Sequence, residues 1–444
     1  MTVSRTICLG FLTLITVGTL LLMLPLATAG EGWNNPIVAL FTATSAVCVT
    51  GLIVVDTGSY FSPVGQGIVL LLIQLGGLGY MTATTLLLLL LGRRLALRDR
   101  LAMKQTLDTA EMANIRTLVI SIISMTLVFE LTGAFLLLPV FRQDYGSGQG
   151  LWLALFHSVS AFNNAGFSLF EDSLVGYARS PLLNAVVAAL IIIGGIGYQV
   201  IMEGFTWLRH RVRGSQERTV FSLHFKIVTS TSLALLLIGA IALFLTEYDN
   251  PATLAGKSFG IKALLASFQS VVTRTAGFNS VDIGGMEKSS LFIVIALMFV
   301  GASPGSTGGG IKTTTLRILL NCTRTALQGK EEVTCYQRQI PGFRILKAVG
   351  VVVASGFTVI TITTLLSLTD PETTFISTLF EAVSAFATVG LSTGITADLS
   401  VLGQIVLITT MYTGRVGILL LMAALLGDPS PSAIHYPEED LLIG

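Results

Sequence analysis

The sequence predicts an all-α polytopic membrane protein. Its plan is four span–pore-loop–span units, giving eight transmembrane helices and four re-entrant pore loops around a pseudo-four-fold central pore. Three observations predict this: an apolar composition, a four-fold internal repeat and the placement of the basic residues. Of 444 residues, 52% are hydrophobic and only 11% charged, and the mean hydropathy is +0.79. A soluble chain carries about 25% charged residues. Uncharged runs recur at Thr6–Gly30, Gln66–Leu91, Pro181–Met202, Ile227–Thr246 and Ala348–Thr369. Each reaches the roughly 20 residues that cross a bilayer. A net charge of +1 says nothing for nucleic acid, and Cys8, Cys48, Cys322 and Cys335 show no paired spacing that suggests a disulfide framework or metal site. At the N-terminus, Arg5, an apolar run and Ala27-Thr28-Ala29 imitate a signal peptide. The run is longer than such a segment needs, and it supplies the first span of the repeat, so an uncleaved span is expected.

The repeat is seen by aligning "FTATSAVCVTGL", "FHSVSAFNNAGF", "FQSVVTRTAGF" and "FEAVSAFATVGL". Each runs from Phe to a Gly followed by Leu or Phe. The glycines are Gly51, Gly166, Gly277 and Gly390, spaced by 115, 111 and 113 residues; the third copy is one residue shorter. A fixed period along a whole chain signals repeated structural units. The predicted units are residues 1–95, 96–213, 214–330 and 331–444, the last including a C-terminal tail.

Charge placement decides whether the middle segments cross. Nineteen of the 26 Lys and Arg lie at Arg5 and in three loops, Arg93–Arg116, Arg209–Lys226 and Lys312–Lys347. Were all three segments of a unit to cross, these loops would alternate sides. With two crossings they share one side, as the positive-inside rule requires. The middle segments therefore dip in and return on the outside, with both termini cytoplasmic. Non-helical backbone at membrane depth survives only inside protein or beside water, so four such loops converge on one axis.

The descending limb of each loop reads as a short helix, such as Pro36–Ser45 with Pro at its start. Its inward C-terminal end favours a cation. The ascending limb holds the glycine, which lets carbonyls crowd the axis. The candidate filter residues are Val49, Thr50 and Gly51; Asn164, Ala165 and Gly166; Thr275, Ala276 and Gly277; Thr388, Val389 and Gly390. No Asp or Glu stands among them, which favours carbonyl coordination of a monovalent ion over a carboxylate calcium site. Asp56, Glu171 and Asp282 follow their glycines by five residues and Asp398 by eight. They are expected at the outer mouth, concentrating cations, although each alone also reads as a solvated loop acid.

The span–loop–span pattern, with "TVGL" (Thr388–Leu391), "NNAGFS" (Asn163–Ser168) and "TRTAGFNS" (Thr273–Ser280), resembles the Trk/Ktr/HKT superfamily of K⁺ and Na⁺ translocating proteins over essentially the whole chain. It is most similar to the Ktr-type membrane subunits of bacterial potassium uptake, since the chain starts directly with unit one where Trk-type subunits usually bear an extra helix pair. The resemblance implies a homodimer with one pore per subunit in the bacterial cell membrane. It also implies a cytoplasmic nucleotide-binding ring of the KtrA type as partner, so that any nucleotide is bound there and not by this chain, and stimulation of K⁺ uptake by Na⁺. In plant relatives a Ser at the first filter glycine goes with Na⁺ selectivity; Gly51 stands there and implies K⁺.

Unit three carries "MFVGASPGSTGGGIKTTT" (Met298–Thr315). The apolar run before it, Ser289–Val300, is too short to span, and an amphipathic run resumes from Thr313 to Gln328, so this is a second span broken midway. Its counterparts are "GGLGY" (Gly76–Tyr80), "GGIGY" (Gly194–Tyr198) and "GRVGI" (Gly414–Ile418), all 24 to 28 residues past their filter glycine. A phosphate-binding loop is excluded because Ile311 intrudes before Lys312 and no strand precedes. A nucleophile elbow lacks its partners, and His157, in the second pore helix, is the single intramembrane histidine. The remaining reading is a gate loop, 301–310, holding Gly301, Ala302, Ser303, Gly305, Ser306, Thr307, Gly308, Gly309 and Gly310, with Lys312 and Arg415 as cations beside it; the resembled family implies the same role. Of the other intramembrane charges, Arg274 is expected to turn from the axis toward a carboxylate, with Glu381 the candidate, and Glu130 to serve helix packing.

Two other functions fit less well. A secondary symporter with coupled K⁺ and Na⁺ sites is built from inverted repeats and broken helices, whereas these four repeats share one topology. A membrane enzyme would need a catalytic set, and none is visible in the sequence.

Overall fold

The computed structural model describes residues 3–30, 32–79, 115–214 and 220–427. The boundary at 95/96, most of the basic loop 93–116, Tyr80 and the C-terminal tail lie outside the described residues. Within them the chain is helical, apart from a two-stranded hairpin, Thr334–Cys335 with Arg338–Gln339. Its turn residues Tyr336 and Gln337 both have positive φ, the twist that a two-residue hairpin turn demands.

Each unit runs as a long helix, a short helix and a second apolar segment, which is broken in units two, three and four. Unit one has Val3–Met23, Pro36–Cys48 and Pro63–Gly77. In unit two the first two are continuous in hydrogen bonding, Ile115–Phe162, but Gly146 has φ 76 and ψ −178 and divides them. Unit three has Leu223–Thr246, Phe259–Val272, then Lys288–Phe299 and Thr313–Leu327 around the loop 300–312. Unit four has Gly342–Thr369, Phe375–Phe386, Val401–Val416 and Ile418–Leu426. The second helices of units one, two and four start from a serine N-cap: Ser62, Ser180 and Ser400 accept from the amides of Gly65, Leu183 and Gly403.

Among the described residues four helices are long and apolar enough to cross a membrane: those beginning near Ser4, Thr117, Leu223 and Gly342. The second helices are shorter, and those of units two and four are bent. Pro181–Ile196 turns by 106° into Tyr198–Val212, and Val401–Val416 by 94° into Ile418–Leu426. The turning residues are Gly197 (φ 97) and Gly417 (φ 88), a backbone region side-chain-bearing residues rarely adopt. Expecting a break in unit three alone is therefore too narrow. The glycine pair in "GGIGY" and "GRVGI" breaks its span as well, so intact second spans are not observed in these units.

Burial is inverted relative to a soluble protein. Long helices turn large apolar side chains outward, among them Phe135 (74% exposed), Leu245 (69%) and Phe357 (71%), which is stable only against lipid. The short helices are buried on nearly every side toward their C-terminal ends; Phe41 to Cys48 are all buried. A helix buried all round is surrounded by protein. The surround is cyclic. Pro181–Ile196 packs on Phe259–Val272, Lys288–Phe299 on Phe375–Phe386, and Val401–Val416 on Pro36–Cys48. Pro63–Gly77 packs on the helix Ile115–Phe162, where Trp152 Nε1 donates to Gln66 Oε1 at 2.8 Å. Each unit thus leans on the next short helix, and the fourth closes on the first.

Candidate functional site

The short helices end where the four glycines meet. In units one, two and four the helix closes alike. The amides of Val49, Asn164 and Thr388 reach back three residues, and those of Thr50, Ala165 and Val389 reach back five, to Ser45, Ser160 and Ser384, each at 2.8 Å. That pair of bonds is a Schellman closure, and its outer residue must be left-handed. Val49 (φ 57), Asn164 (φ 58) and Thr388 (φ 50) are so, as is Thr275 (φ 67) in unit three. Glycine is the usual occupant; a β-branched residue there is strained. Unit three, one residue shorter, closes instead with the Ala276 amide on Val272 O at 3.1 Å.

These bonds orient the carbonyls. A trans peptide holds its N–H and C=O on opposite sides. The Thr50 amide points back to Ser45 O, and the Gly51 amide to Ser45 Oγ at 3.0 Å, so the carbonyls of Val49 and Thr50 point away from their own helix. Ser384 does the same for Thr388 and Val389. Asn164 and Thr275 follow from the bonds of Ala165 and Ala276.

The glycines form a closed ring. A Cβ on Gly51 would fall 2.4 Å from Ala165 O, on Gly166 2.8 Å from Ala276 O, on Gly277 2.6 Å from Val389 O, and on Gly390 2.0 Å from Thr50 O. Each glycine therefore lies against the carbonyl that precedes the next glycine, round the cycle, and all four have φ between 70 and 92. Twelve sequence-predicted residues are thus brought together, all buried but Gly390, which is partly so.

Three of the left-handed residues, Asn164, Thr275 and Thr388, send their side chains to one side of the ring, where the loop 300–312 lies. A Cβ on Gly308 would fall 2.1 Å from Thr275 Oγ1, and on Gly309 2.2 Å from Thr388 Oγ1. Thr307 Oγ1 lies 3.4 Å from Asn164 Oδ1. The loop leaves and returns side by side: Val300 and Ile311 form a bridge, and the Ala302 amide donates to Gly309 O. Unit two holds it through the Ser303 and Thr307 amides on Gly195 O and Gly194 O, and the Tyr198 amide on Gly305 O. Ser306 Oγ donates to Ser303 O at 2.6 Å and Lys312 Nζ to Gly308 O at 2.8 Å. Arg415 donates from Nη1 to Thr307 O and from Nη2 to Gly76 O, joining units four, three and one.

The second-helix glycines also acquire a reason. A Cβ on Gly76, Gly194 or Gly414 would fall 2.1, 1.9 or 1.9 Å from Val47 O, Phe162 O or Phe386 O, the carbonyl four residues before each ring glycine. In unit three the counterpart, Gly301, faces Gly309 O at 2.1 Å. There the loop's own returning limb takes the place of a pore-helix end.

Arg274 departs from expectation. It donates from Nη2 to Gly301 O at 3.3 Å, and no carboxylate pairs with it among the described residues. Glu381 is buried elsewhere, accepting from Ser392 Oγ, the Thr393 amide and Thr396 Oγ1. The expected Arg274–Glu381 contact is thus not formed, because Glu381 braces the ascending limb of its own unit. His157 does likewise in unit two, with Nε2 3.1 Å from Ser168 Oγ and its ring stacked on Phe170. Glu130 is 3% exposed and accepts from Gln74 Nε2 (3.2 Å) and Asn163 Nδ2 (2.9 Å), joining units one and two behind the ring. Asp56 caps a short helix through Ser59, and Asp282 closes a turn on the Gly284 amide. Glu171 and Asp398 are exposed.

What sequence reasoning missed is the left-handed backbone of Val49, Asn164, Thr275 and Thr388; Asn164 alone carries a conformational signal. Among the described residues no cluster of metal-binding side chains occurs; the oxygen-rich feature is the backbone ring.

Residues 10–436 match the sequence profile of TrkH, described as a cation transport protein. The Ktr system potassium uptake protein B of Vibrio alginolyticus is 41% identical over 99% of this chain and 94% of its own length. The protein of the same name from Bacillus subtilis is 38% identical over 100% and 97%. The potassium/sodium uptake protein NtpJ of Enterococcus hirae is 38% identical over 99% and 96%. The crystal structure of the potassium transporter TrkH from Vibrio parahaemolyticus superposes with a TM-score of 0.73 at 19% identity, over 94% of this chain and 83% of that one, a likeness of fold. The chain is thus a multi-pass membrane protein belonging to the TrkH family of cation transport proteins.

Proposed function

We propose that this chain is the K⁺-translocating, channel-like subunit of a Ktr-type potassium uptake system. The observation that carries the reading is the closed ring in which every glycine abuts the carbonyl before the next. Carbonyl oxygens gathered at one centre replace the hydration shell of a monovalent cation. The residues 49–51, 164–166, 275–277 and 388–390 act as the selectivity filter, and the loop 301–310 with Lys312 and Arg415 as the gate beneath it. Asp56, Glu171, Asp282 and Asp398 attract cations to the outer mouth. The bracketing of the loop by three units supports the gate assignment.

The relatives' names supply the ion: two are potassium uptake proteins of Ktr systems and one is a potassium/sodium uptake protein. Homodimerisation, a cytoplasmic nucleotide-binding ring, stimulation by Na⁺ and cytoplasmic termini complete the proposal. The four units, residues 1–95, 96–213, 214–330 and 331–444, are its repeat boundaries. The deciding experiment is anomalous scattering from Rb⁺ in crystals of the protein. Density at the glycine ring is expected, and its absence there would remove the filter.

A second reading, a K⁺/Na⁺ symporter, draws on one observation: the second helices of units two and four are sharply broken, as coupled carriers often are. Flux ratios in proteoliposomes separate the two. Fixed Na⁺:K⁺ stoichiometry favours the carrier, and independent fluxes favour the pore.

A further inference from the structure

On the side of the loop away from the ring lies a cavity of about 1070 Å³. Among the described residues lining it, Lys312, Arg344, Lys347 and Arg415 are cationic and none is acidic. Among the described lining residues, the charges that a cation leaving the ring would meet are positive. Lys312 and Arg415 are engaged by loop and helix carbonyls. Arg344 and Lys347 are exposed, one turn apart at the start of Gly342–Thr369. The Arg344 guanidinium lies over the neighbouring Phe343 ring, 5.8 Å to its centroid.

The cavity is also graded in polarity. Its cationic end lies at the head of a helix apolar enough to span a membrane. Beyond Lys347 the same face continues as Ala348 and Val351, and the facing wall offers Leu419 and Met422, 38% and 41% exposed. Basic groups at the membrane boundary followed by an apolar wall match an anionic headgroup with its chains, whereas a free anion would leave that wall in water.

We propose that this cavity binds one acidic phospholipid, its phosphate held by Arg344 and Lys347 and its chains along the apolar wall. The lipid neutralises the cavity and so lets cations leave the ring. That consequence rests on the K⁺ reading above; the binding itself does not.

The test uses the full chain and its variant Arg344→Gln/Lys347→Gln, with phosphatidylglycerol as probe. Native mass spectrometry is expected to find one phosphatidylglycerol per wild-type chain and several-fold less on the variant, with unchanged thermal unfolding. In vesicles of phosphatidylcholine with increasing phosphatidylglycerol, Rb⁺ flux should rise several-fold and saturate for the wild type, and stay flat for the variant. Equal lipid retention, or a parallel unsaturated rise in both, would reduce the effect to surface charge and overturn the proposal. Full stimulation by glycerol phosphate in pure phosphatidylcholine would overturn it in favour of a soluble anion. Retention that appears only once residues 428–444 are deleted would assign the cavity to the chain's own acidic tail. Lipid retention without any Rb⁺ flux would sink the transport reading and leave the lipid site standing.

Discussion

Gly309 lies so close under Thr388 that a Cβ on the glycine would stand 2.2 Å from the threonine hydroxyl. Thr388 is also the left-handed residue that directly precedes Val389, whose carbonyl joins the ring. One residue therefore faces the ring with its backbone and the loop with its side chain, and loop and ring cannot move independently. Gly309→Ala should push the loop off the ring. Overpacking of this kind costs about 1–3 kcal/mol, so Rb⁺ efflux from proteoliposomes should rise about tenfold or more. Thr388→Ala removes the opposing hydroxyl, and the double variant should return most of the way to wild type. Additive effects of the two changes would show that the contact does not hold the loop.

Arg415 bonds Thr307 O in the loop and Gly76 O in unit one. Hydrogen bonds to a charged group contribute about 1.5–3 kcal/mol each. Arg415→Gln should therefore raise the leak of Rb⁺ by about tenfold or more, with the ion preference of the ring unchanged. Arg415→Lys, which has no fork to reach both carbonyls, should lie between. Flux equal to wild type in Arg415→Gln would remove the arginine from the gate.

The ring predicts a graded series. The nearest carbonyl to a Cβ is 2.0 Å away at Gly390, 2.4 Å at Gly51, 2.6 Å at Gly277 and 2.8 Å at Gly166. In every case the obstacle is backbone, which cannot swing aside as a side chain can. Gly51→Ser should widen the ring and lower the K⁺-over-Na⁺ preference about tenfold or more, an effect of order 1.4 kcal/mol. Gly390→Ala should damage transport more than Gly166→Ala. Competition of Na⁺ with Rb⁺ uptake measures the first, and expression-normalised uptake the second. Selectivity unchanged in Gly51→Ser would detach this glycine from ion discrimination.

What the sequence revealed follows from what each feature demands of a side chain. The ring glycines were legible because positive φ together with a carbonyl at the Cβ position leaves room for no other residue, and four such sites recur at one spacing. The glycines of the second helices were legible as a pattern but not in purpose: the carbonyls of Val47, Phe162 and Phe386 that exclude a Cβ there belong to residues about 30 positions away. Val49 and Thr388 gave no hint of a left-handed backbone, since tertiary packing overrides their preference for extended structure. Arg274 misled because opposite charges on neighbouring pore helices suggest a pair, and sequence does not say which way a side chain points. It reaches Gly301 O while Glu381 faces Ser392. The breaks at Gly197 and Gly417 had a signal in the glycine at the fourth position of each motif, overshadowed by the long glycine run of unit three.

The Glu130 cluster offers the clearest separation of scaffold from ion path. Its carboxylate accepts from Gln74 and Asn163, and Asn163 Nδ2 also reaches Gln74 Oε1 at 2.9 Å. Asn163 stands three residues before the ring glycine Gly166, so the cluster clamps the end of that pore helix against units one and two. Glu130→Gln keeps an acceptor for one donor and should change thermal stability little. Glu130→Leu leaves the buried Gln74 amide donor without an acceptor, while Asn163 Nδ2 keeps Gln74 Oε1 and Val159 O; an unsatisfied donor costs about 1–3 kcal/mol, so the variant should lower the unfolding temperature in detergent by several degrees. Were Glu130 instead an ion ligand, Glu130→Gln would weaken Rb⁺ affinity while leaving stability alone. Isothermal titration with Rb⁺, run beside thermal unfolding on both variants, distinguishes the two. Loss of stability in Glu130→Leu with unchanged affinity in Glu130→Gln is the expected pair of results.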